Sequence, residues 1–184
     1  MAENFVLYIS DDYPESYWLK AKVLTGEDPG IFKEGVVVSD AVRVVFECSK
    51  KISIKKLLDY DFFYSDGPNL VSPRLHELMK REKISGVQFI DAELVLKGTV
   101  HAGYKIFNVI DASPAFDLSK SISEPLLSYL PNGPQWYSKI VLSDKLNLSS
   151  DIVRAEEDNT TIVVNARVKS LFENNAVRGL ECKA

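Results

Sequence analysis

Two nineteen-residue stretches align without a gap at an offset of 93 positions: VSPRLHELMKREKISGVQF (71–89) and VNARVKSLFENNAVRGLEC (164–182). Four positions are identical: Val71 with Val164, Arg74 with Arg167, Leu78 with Leu171 and Gly86 with Gly179. The apolar pattern continues between them through Leu75 and Val168, Met79 and Phe172, Ile84 and Val177, and Val87 and Leu180. The second residue of each stretch, Ser72 or Asn165, has a side-chain oxygen that can accept from orphan amides of a first helical turn. Pro73 suits the first helical position, where its missing N–H costs nothing. Leu75, Leu78 and Met79 fall on one helix face, as do Val168, Leu171 and Phe172. Gly86 and Gly179 then permit a positive-φ exit into an apolar strand. Asp66-Gly67 and Asp158-Asn159 supply turn residues ahead of the two helices. The pattern predicts a mixed α+β fold. Mainly antiparallel sheets and few short helices are built around two related β-hairpin–helix–strand units, residues 59–96 and 150–184, in one domain spanning 1–184.

The remaining segments read mostly as short strands. Asn4–Ile9 is an early strand, Tyr13–Leu19 one or two helical turns, and 25–30 a loop. Val36–Val38 and Val42–Glu47 are β-branched strands, and Ile52–Leu58 fits either a strand or a short helix. Tyr104–Ile110 carries apolar side chains on both faces, which predicts a central strand. Lys97–Gly103 and Leu130–Pro134 are breaks.

Composition narrows the function classes. The chain is 46% hydrophobic, too apolar for disorder. Its 26 acids outweigh 22 bases, which argues against a basic nucleic-acid binder. The run Phe5-Val6-Leu7-Tyr8-Ile9 falls far short of a membrane span, and no basic segment precedes it as in a secretory signal, so a cytoplasmic protein is expected. Cys48 and Cys182 read as small buried hydrophobes, and two thiols with His76 and His101 make a poor metal set, so no metal or cofactor is expected. Nucleophile-elbow and phosphate-cradling glycine motifs are absent. His76 is expected on the helix surface and His101 in a flexible connection. Arg74 and Arg167 read as helix-start arginines paired with local carboxylates.

Candidate partner-binding residues come from charge and exposed aromatics. Residues 1–30 hold six acids against two bases, so they carry the whole net charge of −4. Asp11, Asp12 and Glu15 head that group; Glu156, Glu157 and Asp158 form a second, and Asp66 sits in a turn. Trp18, Trp136 and Tyr137 flank turn-rich segments, as does Tyr129, and such residues are favoured interface anchors.

Three runs carry a family resemblance: DYDFFYSDGPNLVSPRLHELMKREKISGVQFIDAEL, GYKIFNVIDASPAFDLSKS and IVVNARVKSLFENNAVRGLE. They resemble immunity family eleven, from the immunity proteins of bacterial polymorphic toxin systems. The matching motifs are Asp61-Phe62, Val71-Ser72-Pro73-Arg74, Gly86-Val87-Gln88-Phe89, Tyr104 to Val109, Asp117 to Ser121 and Val164 to Leu180, with residues 1–58 only loosely similar. The resemblance implies a non-enzymatic binder that neutralises a cognate secreted toxin domain by direct contact, with no catalytic residues to carry over. Toxins of such systems are frequently nucleases with basic surfaces, which would suit an acidic binder. The alternatives are a small soluble enzyme with a site near His101 and an adaptor module of a secretion system.

Overall fold

The computed structural model describes residues 3–48 and 50–184. Its strands and helices in chain order are β1 (Asn4–Ile9), β2 (Lys20–Val23), β3 (Val44–Glu47), α1 (Ile54–Leu58), β4 (Phe62–Phe63), β5 (Asn69–Val71), α2 (Pro73–Arg81), β6 (Val87–Leu96), β7 (Thr99–His101), β8 (Lys105–Val109), β9 (Ala112–Ser113), β10 (Ile122–Pro125), β11 (Gln135–Lys139), β12 (Ile152–Ala155), β13 (Ile162–Asn165), α3 (Ala166–Asn174) and β14 (Leu180–Lys183). The fold is therefore α+β, strand-rich, with short helices.

The strands form a five-stranded sheet ordered β14-β1-β13-β12-β9, a seven-stranded sheet ordered β2-β3-β6-β8-β5-β4 with β7 also on β6, and a separate two-stranded sheet of β10 and β11. The pairs are antiparallel except β3 with β6 and β9 with β12. The sheets share one core, in which Phe5, Leu7, Ile152, Ile162 and Val164 of the first meet Phe46, Leu70, Ile90 and Ile106 of the second. Alternation along β12 and β13 turns Val153, Ala155 and Val163 to the other face. There they meet a smaller cluster with Ala115, Phe116 and Leu146.

The two repeat segments adopt matching local geometry. Ser72 Oγ accepts from the Leu75 N–H at 3.1 Å, and Asn165 Oδ1 from the Val168 N–H at 3.0 Å. Both helices close on a non-glycine residue with positive φ, Lys83 at 54° and Ala176 at 47°. The Ile84 N–H then bonds the Met79 carbonyl, and the Val177 N–H bonds that of Phe172. In both units a strand from elsewhere fills the gap between hairpin and final strand. β8 runs antiparallel between β5 and β6, and β1 antiparallel between β13 and β14.

The units also hold each other. Asp61, buried, accepts from Ser72 Oγ (2.9 Å), Arg74 Nε (2.9 Å) and, across the units, the Arg178 N–H (3.1 Å). Asp151 accepts from Asn165 Nδ2 (2.8 Å), Arg167 Nη1 (3.2 Å) and, again across, the Ser85 N–H (2.9 Å). Arg74 reaches the carbonyls of Asn175 and Ala176 beyond α3, and Arg167 reaches the Glu82 carbonyl beyond α2. Each arginine thus pairs with its own unit's carboxylate while satisfying the helix C-terminus of the other. Burial works to raise the Asp151 carboxyl, but the Ser85 N–H, Asn165 and Arg167 hold it below the usual carboxylate range.

Several segments differ from expectation. Val36–Val38 is a loop, because Gln88 and Asn108 take up its backbone: Gln88 Nε2 donates to the Val38 carbonyl, Asn108 Nδ2 to that of Val36, and Gln88 Oε1 accepts from the Val38 N–H. Lys97–Gly103 contains a tight turn and β7, so His101 lies on a strand, paired with Leu94. His76 is half-buried, its ring edge-on to Phe89 at 4.8 Å. Cys48 and Cys182 are half-buried; burial pushes the Cys182 thiol up to about 11, which suppresses thiolate chemistry.

Helix faces follow the apolar spacing with one exception. Leu75 and Met79 are fully buried and Val168 and Phe172 lie in the core, but Leu171 is only partly covered. Leu75→Ala is therefore expected to cost about 2–5 kcal/mol and Leu171→Ala about 1 kcal/mol, read from urea midpoints. Equal losses would mean that α3 sits deeper than its burial shows.

Candidate partner-binding surface

A 3-10 turn at Glu15–Tyr17 starts one end of this surface. Leu19 bridges to Ser65, its N–H donating to the Tyr64 carbonyl at 2.9 Å, and Asp66 Oδ1 accepts from the Ala21 N–H at 2.7 Å. Beneath the turn, Tyr13 meets Tyr17, Tyr60 and Tyr64 edge-on, with centroids 5.2–6.3 Å apart. Burial pushes the Tyr64 phenol well above its ordinary value, so it stays protonated and donates to the Tyr8 carbonyl. Trp18 rests on Tyr64 at 5.8 Å and remains 44% exposed. Glu15, Trp18 and Asp66 line one groove with Lys20 and Lys50, so its charge is mixed.

The other end carries Trp136, Tyr137, Glu156, Glu157 and Asp158 around a second groove. Its acids are unequal. Glu157 accepts from the Ala115 and Phe116 N–H groups at 3.0 Å, fixing the 115–116 backbone. Asp158 accepts from the Thr160 N–H and from the Thr160 and Thr161 hydroxyls, closing the β12–β13 turn. Glu156 is exposed and available to a partner. Tyr137 packs its ring against Phe116 at 4.9 Å, whereas Trp136 is 52% exposed.

A third depression, a cavity of about 430 Å³, has both Trp18 and Thr160 in its lining. Trp18 also lines the first groove and Thr160 the second, so the cavity shares a wall residue with each. Asp11 stands beside Lys183 at 3.7 Å, and that ammonium lies over Tyr8, a further wall residue of the cavity. Asp12 is exposed, with its carbonyl accepting from the Tyr60 hydroxyl. The structure thus places eight of the ten sequence candidates in the linings of the two grooves and leaves Asp11 and Asp12 outside them.

Sequence reading named Tyr129, Trp136 and Tyr137 but missed the leucines that surround Tyr129 on the arm next to the second groove. β10 and β11 pair only with each other, and their connection presents Leu126, Leu127, Tyr129 and Leu130 to solvent, Tyr129 at 79%. Ile122 and Leu118 are exposed on the approach. The available signal was Leu126-Leu127-Ser128-Tyr129-Leu130, an apolar run fenced by Pro125 and Pro131. It is too short for a buried helix, and its prolines keep it out of a central strand.

Among the described residues no cluster of three or more His, Cys, Asp or Glu side chains could hold a metal ion. No helix among them is long and apolar enough to cross a membrane.

By architecture the molecule is an α+β protein of two large sheets on a shared core and a two-stranded arm, with its open grooves at the surface. Residues 11–184 match the Immunity protein family (Imm11), and the chain belongs to that family. The match includes most of residues 1–58, which by motif resemblance are only loosely similar to the family. Comparison with curated proteins finds no match.

Proposed function

We propose that this protein binds a cognate toxin domain and neutralises it by direct protein–protein contact, without chemistry of its own. Family membership supports the neutralising role. The observation that carries the choice of surface is the crowding of exposed apolar side chains on the β10–β11 arm: Leu126, Leu127, Tyr129, Leu130 and Trp136. Contiguous exposed apolar surface rimmed by polar groups marks an interaction site. Aromatic anchors there supply binding energy, while neighbouring acids act mainly on association rate. Glu156, with Asp11 and Asp12, would steer a basic partner; a nuclease toxin has such a surface.

If a toxin-domain gene lies immediately upstream, co-expression of this protein with it is expected to rescue growth. Tyr129→Ala and Trp136→Ala should each weaken the purified complex about 30-fold or more, as expected for interface anchors. Both side chains are exposed, so the urea midpoint should stay within about 0.5 kcal/mol of the parent. Unchanged affinity in both variants would move the interface off this arm; failure of rescue would remove the neutralising role itself.

A further inference from the structure

The cavity that shares wall residues with the two grooves differs from both in the charge of its lining. Lys33 and Arg154 line it, and no acidic side chain does. In a chain with net charge −4 this is a local reversal. Arg154 lies on β12, on the core-facing side with Ile152, and is only 6% exposed. Its guanidinium donates to the Asn159 carbonyl at 2.6 Å and to the Phe32 carbonyl at 3.0 Å. Those oxygens satisfy hydrogen-bond geometry but do not neutralise the charge. Nε is buried without a partner among the described residues, and no carboxylate there lies within ion-pairing distance. Burial lowers the Arg154 pKa to about 10, opposed only by the more distant Asp158.

A buried, unpaired cation is a poor way to build stability, since a well-packed apolar side chain of similar volume serves at least as well. Lys33, exposed at the wall, adds a second cation. Tyr8, Trp18 and Tyr64 supply flat aromatic surface to the same cavity. The volume of about 430 Å³ falls within the span of small-molecule sites and exceeds what a bare inorganic ion needs. We propose that this cavity binds a small organic anion, an oxyanion carried on a flat apolar body. Arg154 and Lys33 face the oxyanion, and Trp18, Tyr8 and Tyr64 pack on the body. The site is independent of the toxin-binding reading, although it shares Trp18 and Thr160 with the flanking grooves.

The test is thermal unfolding of the purified full chain with phenyl phosphate, adenosine monophosphate, benzoate or inorganic phosphate as probe. At least one aromatic anion should raise the Tm saturably by about 2–4 °C or more, and inorganic phosphate should do less. The gain should shrink with added salt, because the recognition is ionic. Lys33→Gln alters an exposed side chain and is expected to fold normally while weakening the aromatic anion about tenfold. Arg154→Met should remove the response. Absence of any saturable shift overturns the proposal, as does an aromatic-anion shift that survives unchanged in Lys33→Gln. Equal stabilisation by phosphate and the aromatic anions would also overturn it, since the aromatic walls would then play no part.

Discussion

Gly86→Ala and Gly179→Ala are each expected to destabilise the protein by about 4 kcal/mol or more, a large share of an ordinary folding stability. Gly86 has φ +87° and Gly179 φ +107°, a region L side chains rarely adopt. That alone costs about 1–2 kcal/mol. The larger cost is steric. A Cβ on Gly86 would lie 1.9 Å from the Ile152 carbonyl oxygen, and one on Gly179 would lie 2.3 Å from that of Phe62. Both obstacles are backbone, so relief requires separating the two units where Asp61 and Asp151 join them. Gly98 is the matched control: its φ is +78°, yet a Cβ there would meet nothing within 4 Å. Gly98→Ala should therefore cost only about 1 kcal/mol. If urea midpoints of Gly86→Ala and Gly98→Ala coincide, the close approach between units is not a constraint on the fold.

These glycines mark the boundary of what the sequence discloses. Their place after each helix was legible, because a local signal, a positive-φ exit, is written in one residue. The reason for their severity was not, because Gly86 is crowded by Ile152 and Gly179 by Phe62, each from the other unit. Arg74 and Arg167 divide in the same way. Pairing with a local carboxylate followed from residue type, but the reach to the opposite helix end depends on tertiary placement. The matching parts of Asp61 and Asp151 escaped notice because the hairpins differ in length, so the two carboxylates do not fall at the offset that aligns the helices. Val36–Val38 misled because β-branched composition gives way to the side-chain amides of Gln88 and Asn108.

The candidate surface was legible in parts. Acidic runs and turn-flanking aromatics marked both grooves, since exposure correlates with turns. The cavity that shares Trp18 with one and Thr160 with the other, and the internal use of Glu157 and Asp158, are three-dimensional facts. Arg154 sat unremarked in Ile152-Val153-Arg154-Ala155, where alternation reads an arginine as solvent-facing. In the fold both faces of β12 are covered, so the same alternation points it inward.

Excision of β1 is expected to eliminate folding, and its transfer to the other end of the chain to restore it. β1 is an interior strand, registered from Asn4 against Asn165 to Leu7 against Ile162 on one side and from Val6 against Lys183 to Ile9 against Leu180 on the other. Without it, β13 and β14 lose their shared partner, and the core loses Phe5 and Leu7. Placed after Ala184 through a short glycine-containing turn, residues 3–9 would run antiparallel to β14 as the second arm of a hairpin. The unit would then have the strand sequence of the first, in which β8 follows β6 along the chain and returns between it and β5. The permuted chain, beginning at Ser10, should recover a urea midpoint within about 1–2 kcal/mol of the parent, since only a loop is exchanged. It should also refold faster. In the parent, β1 must find β13 and β14 across almost the whole chain, whereas in the permutant its pairing with β14 is local, and shorter contact separation speeds folding. A deletion lacking residues 3–9 that unfolds cooperatively at the parental midpoint would show that the five-stranded sheet does not need its second strand. A permutant that stays unfolded would show that β1 must enter the sheet from its natural side.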